Sequence, residues 1–280
     1  MSFQPVVPLG GAPGWALLQR TEDRQREVFD ARPDVSREAA RFAELIPTAA
    51  TAEDLVSDRR LLRVALTAFG LEDEIDKRAL IQRALESDPS DPQSFANRLV
   101  DRRYRDLASA FGYGSLLGPK ILDPGFADTI TDAYRERRFE LAVGESNPDL
   151  RLALNARREL ARLARTSGVE ENGWFAVLGD RPLRAVVEGA LGLPEAFAQV
   201  DVDRQRDTLE ERMQAAFGAS SPKAFEDPDV LDDFINRFLI RAEAAAGPTF
   251  ATPGAAALSL LSFGLGPAAS QSLILSGAAP

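Results

Sequence analysis

The chain contains no cysteine and no histidine. The first absence removes disulfides, thiolate nucleophiles and thiolate metal sites. The second removes the usual general base near neutral pH and the commonest zinc ligand. Few compositions argue as plainly against catalysis, and no cofactor or metal is expected. Positive charge is also in deficit: 33 Lys and Arg stand against 43 Asp and Glu, a net charge of −10. Bulk attraction to nucleic acid or anionic lipid is therefore not expected. Trp and Tyr number only 2 and 3 beside 16 Phe, so the aromatics read as apolar anchors more than polar recognition surfaces. No uninterrupted apolar run reaches a membrane-spanning length; the tail from Ala255 comes closest and is broken by Gly264 and Pro267. Membrane insertion is not expected. Met1-Ser2-Phe3-Gln4-Pro5-Val6 lacks the basic and apolar regions of a cleaved signal, which leaves a cytoplasmic location as the default. β-branched alternation is scarce everywhere, so the fold class expected is all-α and multihelical.

What is present is a capped amphipathic helix written twice. Asp58 through Leu71 and Asp180 through Leu193 each open on an aspartate able to cap free backbone N–H groups. Each closes on a glycine, Gly70 or Gly192, suited to the left-handed residue after the last turn. Pro182 sits just inside the second start, where its missing N–H costs little. Leu61, Val64, Ala65 and Ala68 match Leu183, Val186, Val187 and Ala190 at the spacing of a single apolar stripe. Two further echoes run in the same order. Arg37–Ala43 answers Arg158–Ala164, and Phe95-Ala96-Asn97-Arg98-Leu99 answers Phe234-Ile235-Asn236-Arg237-Phe238. Together they predict two related helical subdomains arising by internal duplication. The expected organisation is an extended arm over 1–19, a first helical repeat over 20–112, a connecting segment and helix over 113–147, a second repeat over 148–247, and an uncharged apolar tail over 248–280. Gly- and Pro-rich residues 1–14 are expected to be irregular, the helix from Pro124 to break near Gly144, and Pro148–Thr166 to be the longest helix.

Several constellations invite a chemical reading. Arg151, Arg158, Arg162 and Arg165 share one helix face, which could hold an acidic partner or phosphate. A solvated face, or one paired with the acidic run Glu226–Asp233, is the simpler account. Asp201, Asp203 and Asp207 lack the central Gly and closing Glu of a calcium loop, and capping explains them better. The glycines of 112–118 do not have phosphate-loop spacing, and no strand precedes them. The repeated Asn-Arg pairs are expected to satisfy helix ends, and Trp15 and Trp174 to anchor the core. In the tail, Leu258 and Leu261 share a turn-spaced face with Phe263 beside it. A helix this short needs a groove, its own or a partner's.

The middle of the chain resembles a bacterial family of domains of unknown function, number 1217, common in alphaproteobacteria. The residues that carry the likeness are Phe139–Glu145, Asn147, Arg151, Ala153, Leu154, Trp174, Asp180–Arg184 and Ala190–Pro194. Phe69-Gly70-Leu71 and Asp101-Arg102-Arg103-Tyr104 in the first half add to it. The resemblance implies a multihelical fold and, through gene neighbourhoods, a link to the flagellum. It carries no catalytic residues. Two functions follow as expectations. One is a non-enzymatic component that binds a protein partner, in a structural, chaperone-like or regulatory role at the flagellum. The candidate contacts are Leu258, Leu261, Phe263, Arg158, Arg162 and Arg165. The alternative is a small-molecule-binding protein or carboxylate-dependent enzyme with its site between the repeats.

Overall fold

The computed structural model describes residues 3–246, and among them the regular structure is thirteen α-helices with no strand. The all-α expectation holds. The first part of the chain forms α1 (Gly11–Asp30), α2 (Pro33–Leu45), α3 (Ala52–Ser57), α4 (Arg59–Ala68), α5 (Arg78–Leu85), α6 (Phe95–Arg98) and α7 (Arg103–Phe111). Then come α8 (Phe126–Ser146), α9 (Pro148–Ala164), α10 (Val169–Leu178), α11 (Arg181–Leu191), α12 (Val202–Phe217) and α13 (Pro228–Ala246).

The doubled helix forms as its sequence dictates. Asp58 accepts from the backbone N–H groups of Arg60 and Leu61 at 2.8 and 3.2 Å, and Asp180 accepts from that of Leu183 at 3.0 Å. Gly70 and Gly192 lie at φ 69° and 67°. The N–H groups of Leu71 and Leu193 fold back to the carbonyls of Leu66 and Glu188, closing both ends in the same way. The apolar stripes of α4 and α11 are buried throughout.

Each of these helices packs in a trio. α4 lies against α2 and α8, whereas α11 lies against α9 and α13. The trios meet where α8 packs along α9, and α1 crosses over to α13. One hydrophobic core runs through all of it, from Trp15 and Phe42 to Trp174 and Phe234. Trp15 and Trp174 are buried and donate to Asp232 and to the Ser220 carbonyl, as core anchors do.

Five expectations need correction. The arm ends by residue 10, since helix α1 begins at Gly11: Pro13 falls in its first turn, where proline is tolerated, and buried Trp15 and Glu22 fasten it to α13 and α9. Helix α8 runs through Gly144 without a break. The glycine there gives room to the Arg151 side chain, and α8 rather than α9 is the longest helix, at 21 residues. The echo of Phe95–Leu99 in Phe234–Phe238 does not hold in space. Asn97 sits in four-residue α6, bracketed by the Pro-rich turns before it, and donates to the carbonyls of Pro89 and Asp91. Asn236 lies inside 19-residue α13 and reaches Asp232 of its own helix. The helix packed on α4 as α13 is packed on α11 is α8, which carries no such motif.

Candidate functional site

The fifth correction concerns the arginines of α9. They share a face, but that face turns toward α8 and the first half, because α9 is packed on nearly all sides. Arg158 binds Glu140 through Nε and Nη2 at 3.0 and 3.2 Å, lies 3.5 Å from Glu136, and donates to Glu159. Arg137 of α8 donates to Asn155 and, at 3.0 Å, to Glu159. Arg162 binds Glu159 at 2.8 Å and reaches Asp106 at 3.7 Å, while Arg151 pairs with Glu72 at 3.4 Å. Of these four, Arg165, just past the helix, is exposed and has no ion pair among the described residues. The acidic run takes no part; Asp232 is occupied by Trp15 and Gln19.

This cluster balances Arg137 and Arg158 against Glu140 and Glu159, so the charges compensate one another away from water. Burial alone would raise the Glu159 carboxyl, but Arg158, Arg162 and Arg137 outweigh it and hold the group below its usual range. A carboxylate held in this way is poorly suited to carry protons near neutral pH. Its evident work is to lock α8 to α9.

Beside the cluster, two small cavities share Arg103 and Asp180 in their walls, with volumes of about 40 and 100 Å³. Burial raises the Asp180 carboxyl above its usual range. A buried, raised carboxylate is what catalysis would want, but this one caps α11 and faces spaces fit for a few waters. A larger cavity of about 460 Å³ opens between the α6–α7 region and α10–α12. Its polar wall is formed by Asn97, Arg102, Arg105, Arg184 and Gln205, without any carboxylate. In this cavity space for a ligand and an acid therefore do not coincide, and in the open depression of about 720 Å³ beside α3 and α4 the two carboxylates, Asp54 and Asp58, are engaged as helix caps. No cluster of three or more candidate metal ligands occurs among the described residues, and none of their helices is long and apolar enough to cross a membrane.

The surface shows a different feature. The turn after α7 presents Leu116 and Leu117, both 97% exposed. Its base is fixed on every side. The Tyr113 hydroxyl donates to the Ala49 carbonyl at 2.7 Å, its ring stacks on buried Phe111, and Lys120 reaches the Ser109 carbonyl at 2.9 Å. Within the turn, Ser115 accepts from the N–H groups of Leu117 and Gly118. Leu122 adds a third exposed apolar side chain nearby. The sequence carried a signal for this in two adjacent leucines set among Gly, Ser and Pro. Leu258, Leu261 and Phe263, the candidates in the tail, lie outside the described residues.

Comparison with known proteins places this architecture among relatives without assigned roles. A family model described as a protein of unknown function (DUF1217) matches residues 68–231. The chain is also similar to a protein from Agrobacterium tumefaciens solved by X-ray crystallography, with 25% sequence identity and a TM-score of 0.70. That likeness covers 85% of this chain and 97% of the other. Among curated proteins nothing matches.

Proposed function

The chain belongs to the DUF1217 family of proteins of unknown function, and we propose that it acts without catalysis, by binding a protein partner associated with the flagellum. The observation that carries this reading is the leucine pair at the tip of an anchored turn. Two adjacent leucines held in water are unfavourable for an isolated chain; covering each contributes roughly 1.5–3 kcal/mol. Because the turn is already ordered, little further entropy is lost when a partner covers it. A partner matched to it presents an apolar pocket, and the protein's net charge of −10 favours a neutral or basic rim around that pocket. The buried carboxylates of α8 and α9 are occupied by arginines, which also favours a scaffold over a catalyst. The flagellar part of the proposal rests on the gene neighbourhoods implied by the resemblance.

The test is complementation of a gene deletion in a motile alphaproteobacterium that carries the family. The wild-type chain should restore swimming, while L116S/L117S should accumulate to the same level and fail to restore it. Full motility with the double variant would contradict the proposed contact.

A further inference from the structure

The cavity between α6–α7 and α10–α12 collects positive charge that the rest of the protein neutralises only in part. Elsewhere in the interior, arginines meet carboxylates: Arg137 and Arg158 are examples. Here three arginines line one space of about 460 Å³ and no Asp or Glu joins them, in a chain with ten more acids than bases. Arg102 is half-buried and has neither an ion pair nor a side-chain hydrogen bond among the described residues. Burial, and after it the neighbouring Arg105, lowers its pKa, so the charged form is held at a cost. Arg105 has only adjacent Asp106, at 3.4 Å. Arg184 spends Nε on Glu188 at 2.7 Å, which leaves its Nη2 buried without a partner. Gln205, 4% exposed, likewise keeps its side-chain oxygen buried and unpaired.

An unpaired buried guanidinium nitrogen on Arg184, beside the unpaired Arg102, describes a site with room for an acceptor of negative charge. The remaining wall is apolar, with Leu99, Phe175, Leu178 and Val202 opposite the polar groups in composition. The volume falls within the range of small-molecule sites. Guanidinium forks favour phosphate and carboxylate oxygens, and Arg102, which has no ion pair, stands here beside two arginines that each meet a single carboxylate and keep donors to spare. We propose that this cavity binds a small phosphate monoester carrying an apolar body, its phosphate held by Arg102, Arg105 and Arg184. The ligand's hydroxyl or amino group, if it has one, would meet the free oxygen of Gln205. This assignment is independent of the protein-binding reading, and either can fail alone.

Calorimetric titration of the full chain at fixed ionic strength tests it, with phenyl phosphate and inorganic phosphate as probes. Phenyl phosphate should show one saturable site and bind about tenfold or more tightly than inorganic phosphate, because only it can use the apolar wall. Arg102→Gln should weaken phenyl phosphate about tenfold or more. In phosphate-free buffer the same variant should melt at or above the wild-type temperature, since it removes a repelled, half-buried charge. If Arg102→Gln does not fold, Arg105→Gln should show the same weakening. Absence of a saturable site, equal affinity for the two probes, or wild-type affinity in a folded variant would each overturn the assignment.

Discussion

Asp58 and Asp180 occupy matching caps, yet their surroundings separate them. Both are half-buried, but Asp180 stands with Arg103, Glu159 and the end of α10 in the wall of a small cavity, where burial raises its carboxyl. The capping role was readable from the aspartate before each apolar stripe. The enclosure was not, because it comes from residues remote in sequence. The difference has a sign. A carboxyl whose folded pKa is raised binds its proton more tightly in the folded chain, so stability falls as pH rises from the unfolded pKa through the raised value. Asp180→Asn keeps a capping oxygen and removes that ionisation. The melting temperature of Asp180→Asn relative to wild type should therefore climb between acidic and neutral pH. Asp180→Ala, which loses the cap, should cost about 1 kcal/mol when the carboxyl is protonated. A pH-independent difference between wild type and Asp180→Asn would refute the assignment. Glu159 runs the other way. Its lowered pKa means that its contribution is present above the unfolded carboxylate pKa and is lost as pH falls through the folded value.

Helix ends were the most legible elements, because a cap is a local contract between a side chain and its own backbone. Gly70 and Gly192 both take the left-handed conformation their position predicted. Replacing either with Val should destabilise the fold by roughly 1–3 kcal/mol, as seen by chemical denaturation. Glycines that serve packing were not legible. Gly144 resembles a helix breaker in sequence, but it is kept for the nearness of Arg151. Gly114 is kept for a backbone approach: a Cβ there would fall inside contact distance of Glu86 and Ser87 at the end of α5. Gly114→Ala should thus loosen the leucine turn while leaving the body folded. Limited proteolysis should cut within 112–119 faster in the variant than in wild type, with little change in melting temperature. Equal cleavage would mean that the turn is not held through this contact. The echo of Phe95–Leu99 misled for a related reason. A five-residue match says nothing about whether its helix will have room for one turn or five.

At the scale of the whole molecule, the two halves are joined by charge as well as by apolar packing. Glu140 on α8 and Arg158 on α9 are separated by a sharp turn at Asn147 and meet deep inside, where Arg137 and Glu159 complete the set. The sequence shows these arginines as a stripe. It does not show that α9 is central, which turns Arg158 inward while Arg162 and Arg165 stay exposed. Removing one member leaves a buried charge uncompensated: Glu140→Leu should cost about 3–5 kcal/mol, and the Glu140→Leu/Arg158→Met pair should cost distinctly less than the sum of the two single changes. Additive costs in urea denaturation would show the ions to be independent. This rigid body, locked at α8–α9, is the platform from which the leucine turn is presented. What touches that turn in the cell decides its role. A photo-crosslinking amino acid placed at Leu117, and separately at half-exposed Glu210 as a control, puts the question to the living complex. A discrete adduct with a flagellar protein from position 117, absent from position 210, is the result predicted here; no adduct at 117, or the same adducts from both positions, would contradict it.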